Sequence, residues 1–304
     1  MLRIIFLGTG GSLPTPHRNP SAVLINREGE LLLFDCGEGT QRQMMRAKTG
    51  MMKLSSIFIT HLHADHILGI PGLIQTMSFH GREEPLFIYV PERSEEQIAY
   101  LTQIGYTRPG FEVRITELSP GDVVERDEYD VIAIRTEHNI PSIGYALSEH
   151  QRIGRFNRER AIELGVLPGP LFSRLQHGES IAVDGGMVHP DDVLGSPRPG
   201  RCVVYTGDTR PTDEVLEASR GADLLIHDSS LTHDLIDWAH ETMHSTAQEA
   251  ALLAKEAEVR ELVLTHISSR YADPTPILED AEKVFDRVRV ARDLLEIEIP
   301  YRDS

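Results

Sequence analysis

Between residues 58 and 70 an apolar run, Phe58-Ile59-Thr60, opens into His61-Leu62-His63-Ala64-Asp65-His66. Three imidazoles and a carboxylate within six residues would compete for space and solvation unless something bound them, and a metal ion is the natural occupant. On a locally extended chain His61 and His63 project to the same side and can clasp one ion. Asp65 and His66 project elsewhere and suit a second. One ion needs only three or four protein ligands, so the spacing predicts a two-metal site completed from distant segments. A polar strand-end loop with solvated histidines is the bland alternative; it fits an isolated His-x-His better than this pattern.

Three distant donors end or follow strand-like runs: His138 in Arg135-Thr136-Glu137-His138-Asn139, Asp208 in Val204-Tyr205-Thr206-Gly207-Asp208, and His266 in Leu264-Thr265-His266. A lone histidine in such a place is more often a hydrogen-bonded surface residue, but the cluster at His61 demands partners. The two oxygens of a carboxylate diverge, which suits Asp208 as a bridge. His61, His63 and His138 would then hold one ion, and Asp65, His66 and His266 the other. Two ions about 3.5 to 4 Å apart would polarise a phosphoryl or carbonyl oxygen and acidify a bridging water, so hydrolysis is the implied chemistry. Asp65 could accept the proton of that water. The leaving group needs an acid, and His240-Glu241-Thr242-Met243-His244-Ser245-Thr246 offers one, since a histidine held by a carboxylate stays protonated near neutrality. Ser245 or Thr246 could equally do no more than cap the helix that follows.

Strands and helices alternate around these residues. Strands are expected at Leu2 to Gly8, Ser21 to Asn26, Leu31 to Asp35, Ser56 to Thr60, Leu86 to Val90, Val113 to Ile115, Val131 to Arg135, Ile143 to Leu147, Cys202 to Thr206, Asp223 to His227 and Glu261 to Thr265. Helices are expected near Gly39 to Lys48, Ile70 to Phe79, Thr212 to Ser219, Thr246 to Ala257 and Ile277 to Val290. Ile57-Phe58-Ile59-Thr60-His61 and Leu262-Val263-Leu264-Thr265-His266 echo one another, as two related halves would. Two layered sheets flanked by helices would bring both histidines to one edge. Residues 151–200 break the rhythm with Pro168-Gly169-Pro170, Gly185-Gly186 and Pro197-Arg198-Pro199-Gly200, and are expected to form an inserted arm or extended hairpin in an otherwise single domain, 1–304.

With 304 residues and 40% hydrophobic content, the chain can bury a sizeable core. Its apolar runs are strand-sized, so neither a signal peptide nor a membrane span is expected. Cys36 and Cys202 flank strand-like runs, which suits reduced thiols and a cytoplasmic location. The formal net charge of −17 would repel a polyanion on average, so a nucleic-acid enzyme would need local positive charge or metal.

Taken together, His61-x-His63-x-Asp65-His66, the upstream Gly8-Thr9-Gly10 and the later His138, Asp208 and His266 resemble the metallo-β-lactamase fold, an α/β fold in which two β-sheets are sandwiched between helices (αββα). That fold hosts several chemistries. Phe34-Asp35-Cys36-Gly37-Glu38-Gly39-Thr40-Gln41-Arg42-Gln43, the segment His240 to Thr246, and His266-Ile267-Ser268-Ser269-Arg270-Tyr271 narrow the resemblance to the ribonuclease Z family in its short form, across nearly the whole chain. The resemblance implies a zinc endoribonuclease with two Zn²⁺ per subunit that removes the 3′ trailer of precursor tRNA by metal-hydroxide attack. The tRNA would keep a 3′ hydroxyl and the trailer a 5′ phosphate. It also implies a homodimer, His244 as proton donor and Glu241 as the residue that orients it or supports a metal ligand. Gly165 to Phe172, with Gly169 and Pro170, resembles the family's tRNA-binding exosite; Arg152, Arg155, Arg158, Arg160 and Arg174 there offer phosphate contacts, interleaved with Glu159, Glu163 and Glu179. Pro14-Thr15-Pro16-His17-Arg18-Asn19 resembles the family loop that senses the tRNA 3′ end, making Arg18 and Asn19 substrate-binding candidates, although Pro16 stands where that loop carries lysine.

Two other readings use the same residues. A zinc-dependent small-molecule phosphodiesterase of the same fold would keep its turnover after removal of residues 151–200. A non-catalytic RNA-binding protein with structural zinc would be indifferent to replacement of Asp65.

Overall fold

The computed structural model describes residues 1–105 and 108–302. They form two compact units, Met1–Ser148 with Cys202–Pro300, and Glu149–Arg201 with the chain from Tyr301 onward.

The larger unit is built from strands that are apolar on both faces, as strands buried on both sides must be. In Leu2–Gly8, the side chains of Leu2, Ile4 and Phe6 join one core with Tyr145, Val203, Tyr205 and Ile226, while Ile5 and Leu7 join another with Ile70, Leu73 and Met77. The period of two therefore assigns alternate residues to the space between two sheets and to a helix layer. On the second sheet Val204, Leu225 and Leu264 pack with Ala250, Ala251 and Ala254 of the helix Ala247–Glu256. Four layers result, helix, sheet, sheet, helix.

The first sheet has the order Glu296–Ile299, Leu2–Gly8, Ala22–Arg27, Glu30–Phe34, Leu54–Phe58, Leu86–Pro91, Val113–Leu118. The second has the order Val288–Val290, Leu262–Thr265, Leu224–Asp228, Cys202–Tyr205, Ile143–Glu149, Tyr129–Arg135, Val123–Glu125. In the second sheet Cys202–Tyr205, Leu224–Asp228, Leu262–Thr265 and Val288–Val290 are parallel. Their carboxyl ends share one edge, where α/β sheets place their ligands.

One expected helix is shorter than its pattern. Thr275–Glu282 is helical, but Val288–Val290 is a strand, registered Leu262↔Val288 and Leu264↔Val290. The β-branched valines complete the sheet edge, and that pairing overrides the helical spacing. The helix Glu95–Thr102 and the strands Val123–Glu125 and Glu296–Ile299 are further elements absent from the sequence reading.

The smaller unit is an inserted arm whose entering and leaving segments pair antiparallel at Arg152↔Arg198 and Phe156↔Leu194, and it carries more than a hairpin. Helices Arg158–Glu163 and Pro170–Gln176 and the short hairpin Ile181–Val183 with Gly186–Val188 close over a core of Ala161, Val166, Leu175, Ile181, Val188 and Val193. Asn157 caps the first helix by accepting from Arg160 N, and Pro170 opens the second after Gly169, whose φ of 136° suits glycine. At its base Arg201, 2% exposed, is paired with Glu149 at 2.7 Å, and Tyr301 lies under the guanidinium groups of Arg152 and Arg201, 3.6 and 3.8 Å from its ring centre.

Candidate metal centre

The strand Leu54–Phe58 delivers His61 and His63, and the single turn Ala64–Ile67 carries Asp65 and His66. His138 comes from the loop between Tyr129–Arg135 and Ile143–Glu149, Asp208 follows Cys202–Tyr205, and His266 follows Leu262–Thr265. These seven residues, separated by up to 205 positions in the chain, meet in one buried cluster.

His61 Nε2 lies 3.0 Å from His63 Nδ1, and His138 Nε2 lies 3.2 Å from the same atom. Burial lowers the pKa of all three imidazoles; mutual repulsion adds to the effect, through His66 on His61 and through His138 on His63. They are therefore neutral lone-pair donors aimed at one point. Asp65, His66 and His266 form a second group. Asp208 Oδ2 stands between the two groups, 3.6 Å from His61 Nε2, 3.4 Å from His66 Nε2 and 3.2 Å from His266 Nε2. Two buried atoms at the centre, His66 Nε2 and Asp208 Oδ1, have no hydrogen-bond partner. Unsatisfied buried polar atoms are costly unless an ion takes them up. The N/O donor set, its two-lobed arrangement and these orphaned atoms fit a pair of divalent cations.

A second layer aims the ligands. His66 Nδ1 donates to Asp35 Oδ2 at 2.7 Å, and Asp35 is itself held by Thr60 N at 2.8 Å and by the Tyr205 hydroxyl at 2.8 Å. His138 Nδ1 donates to the Met243 carbonyl at 3.0 Å, which fixes the tautomer that presents Nε2 to the centre. His266 Nδ1 is 2.9 Å from Ser230 Oγ, and Ser12 N donates to Asp65 Oδ2 at 2.8 Å. Burial opposes charge on Asp208, but His266 and His66 outweigh it and hold the carboxyl well below its ordinary range.

Beside the ligands, His244 Nδ1 donates to Asp228 Oδ2 at 2.8 Å. Burial disfavours the cation, yet the charge and hydrogen bond of Asp228 prevail and raise the His244 pKa to about 9. The carboxylate on His244 is thus Asp228 and not Glu241, which is exposed on the helix Ile236–Thr242. His244 follows the left-handed turn at Met243, φ 59°, which ends that helix, so His244 and Glu241 are no longer on a common helical face. Asp228 was missed although it ends an apolar strand, as Asp208 follows one. Arg210 also escaped the sequence reading. Its backbone N donates to Glu137 O at 2.9 Å, and its guanidinium reaches the His244 carbonyl and Glu249, so it ties the loops of His138 and His244 together.

The candidate substrate residues fare differently. Arg18 is buried, and its Nη1 donates to Thr9 Oγ1 and Ala291 O, both at 2.7 Å, so it braces the loop from inside rather than presenting a cation to substrate. Asn19 N donates to Asp293 Oδ2 at 2.8 Å, and the Asn19 carbonyl accepts from Thr9 N and Gly10 N. In the smaller unit Arg174 is exposed and pairs with Glu179 at 2.6 Å, close to Gly169 and Pro170 in the chain. A cleft in that unit is lined by Arg155, Arg158, Arg198, Phe156, Phe172 and His177.

A four-layer αββα unit with two His/Asp donor groups bridged by one aspartate defines a metal-dependent hydrolase of the metallo-β-lactamase fold. A family model described as a beta-lactamase superfamily domain matches residues 176–267, and one described as anti-Pycsar protein Apyc1 matches residues 2–152. The chain is 66% identical to a ribonuclease Z of Methanosarcina mazei over 303 residues, 99% of each chain, and 54% identical to one of Haloferax volcanii over 307 residues, 100% of this chain and 96% of that one. It belongs to the ribonuclease Z family and is a hydrolytic endoribonuclease. Its structure is similar to that of human tRNase Z, short form, with a TM-score of 0.71 and 30% identity over 98% of this chain and 99% of that one.

Proposed function

We propose that this endoribonuclease holds two zinc ions and removes the 3′ trailer from precursor tRNA, leaving a 3′ hydroxyl on the tRNA and a 5′ phosphate on the trailer. The observation that carries the reading is the meeting of six donors around Asp208 with His244, held by Asp228, beside them. Bound there, the ions would supply Lewis acidity toward the phosphate and would acidify a water. His61, His63 and His138 would hold one, Asp65, His66 and His266 the other, and Asp208 lies within reach of both groups. Asp65 takes the proton of the attacking water, and its anchorage by Ser12 N keeps the carboxylate in place. His244 delivers a proton to the leaving O3′, with Asp228 fixing Nδ1 as the donor to itself and Nε2 as the face toward substrate.

The unit Glu149–Arg201 supports RNA binding. Its cleft joins three arginines to two aromatic rings, groups that contact phosphates and stack on bases. Gly169, Pro170 and Arg174 lie on or directly before the helix Pro170–Gln176, which also supplies Phe172 to the cleft. Cys36 and Cys202 are not joined in a disulfide, which suits the reducing cytoplasm. A homodimer, in which the arm of one subunit grips RNA cut by the other, follows from the family resemblance, and the mass in solution would test it.

The direct test incubates zinc-loaded protein with a labelled precursor tRNA and maps both new ends beside a His61→Ala control. One cut at the trailer junction, leaving a 3′ hydroxyl and absent in the control, is expected. Intact precursors alongside hydrolysis of small phosphodiesters would overturn the proposal in favour of a small-molecule phosphodiesterase.

A further inference from the structure

We infer that the cleft walled by Trp238 beside His244 is a nucleoside subsite for the terminal base of the tRNA moiety, the nucleotide whose O3′ departs. The inference rests on the trailer-removal reading above, which gives the leaving oxygen its identity. The cleft lies against the metal centre. His244, His266, Trp238 and Leu13 line it, and Ser268 and Ser269 supply hydroxyls. Its cavity volume is about 130 Å³ and it opens to solvent, so it admits one part of a large ligand rather than enclosing a whole small one.

Three features of the lining select a nucleoside. Trp238 is the single tryptophan of the chain and is only partly buried, with the Arg270 guanidinium 3.6 Å from its ring centre. A ring held by a cation on one face can offer its other face to a planar base, which is the requirement of a stacking platform. Leu13, 63% exposed, leaves a large apolar side chain in water at the same cleft, surface that a planar base would cover. The serine hydroxyls both donate and accept, so they can meet a base edge or ribose without demanding one base.

Position assigns the side of the scissile bond. His244 lines the cleft and, with Nδ1 held by Asp228, turns Nε2 toward the leaving oxygen. The sugar that carries this oxygen lies within one nucleotide of His244, and its base therefore falls in the adjoining cleft, on the tRNA side of the cut.

A lone tryptophan makes the inference directly readable. Zinc-loaded protein is titrated with tRNA ending at the nucleotide that would bear the freed 3′ hydroxyl, and with the same tRNA abasic at that nucleotide. Fluorescence anisotropy of an end-labelled RNA reports binding independently. The intact RNA is expected to quench Trp238, and the abasic RNA to bind about tenfold more weakly without quenching at saturation. In cleavage, Trp238→Ala is expected to lower kcat/KM about tenfold on normal precursor and to cost nothing further on the abasic precursor, while Trp238→Phe keeps most of the activity. Equal quenching by both RNAs, or losses from Trp238→Ala and base removal that multiply, would overturn the subsite. Absence of any anisotropy change and of any cut by the zinc-loaded protein would instead overturn the tRNA reading beneath it.

Discussion

Protonated His244 depends chiefly on one carboxylate. Its pKa near 9 means that the cation is favoured by the fold at neutral pH; the associated stability is full below the ordinary histidine value and is lost as pH rises through about 9. Asp228→Asn keeps the shape but leaves only the charge of Asp208 to oppose burial, so the His244 pKa must fall. The basic limb of the kcat/KM profile should therefore move to lower pH, while His244→Ala should cost about 10²- to 10⁴-fold in kcat with zinc content unchanged. A basic limb unmoved by Asp228→Asn would show that another group delivers the proton. At this scale the histidines and aspartates that cluster were legible, because their crowding at His61 to His66 and their places after strands are written in the chain. Asp228 was not, because its importance comes from a contact with His244, sixteen residues away, and sequence shows no contacts. The burial of Arg18 was hidden for the same reason: an arginine in a loop suggests solvent until Thr9 and Ala291 are seen to enclose it.

Among the elements, the turn after Cys202–Tyr205 is closely constrained by a neighbour that shapes the site. Gly207 has φ 61°, and a Cβ there would meet Thr60 Cβ, Cγ2 and Oγ1 at 2.6 to 2.7 Å. Thr60 precedes His61 and holds Asp35, so the turn that aims Asp208 presses on the strand end that aims His61 and His66. Gly207→Ala combines an unfavourable backbone conformation with overpacking, and a loss of about 1–3 kcal/mol in unfolding free energy is expected. Zinc affinity, followed by competition with a chelating dye, should weaken as well; a lowered Tm with unchanged affinity would mean that Asp208 does not depend on this turn. Short continuous apolar runs made most strands visible, and Ile70–Phe79 has the bounds that its sequence suggests. Glu296-Ile297-Glu298-Ile299 alternates instead and is only four residues long, too short to stand out without Leu2–Gly8 beside it. Val288–Val290 is likewise defined by its neighbour.

On the scale of the whole molecule, charge is unevenly shared. Residues 149–201 hold seven arginines against seven aspartates and glutamates, so the net −17 resides in the rest of the chain. On average a polyanion is repelled by the rest of the chain and meets no net repulsion from the arginine-bearing segment 149–201. The larger unit is also closed without the smaller one: Ser148 and Cys202 are register partners on adjacent antiparallel strands, so the chain leaves and re-enters the sheet at neighbouring points. Replacing residues 149–201 with Asn-Gly would join those strands by a two-residue hairpin turn. The shortened protein should fold, bind zinc and hydrolyse a small phosphodiester at the rate of the full chain, because every metal donor lies outside the replaced segment. Its kcat/KM for precursor tRNA should fall at least about a hundredfold, and the steep loss of binding between 50 and 200 mM salt expected of the full chain should flatten with the lost phosphate contacts. Equal tRNA cleavage by both proteins would place the RNA grip on the larger unit, where local contacts would then have to overcome its negative charge.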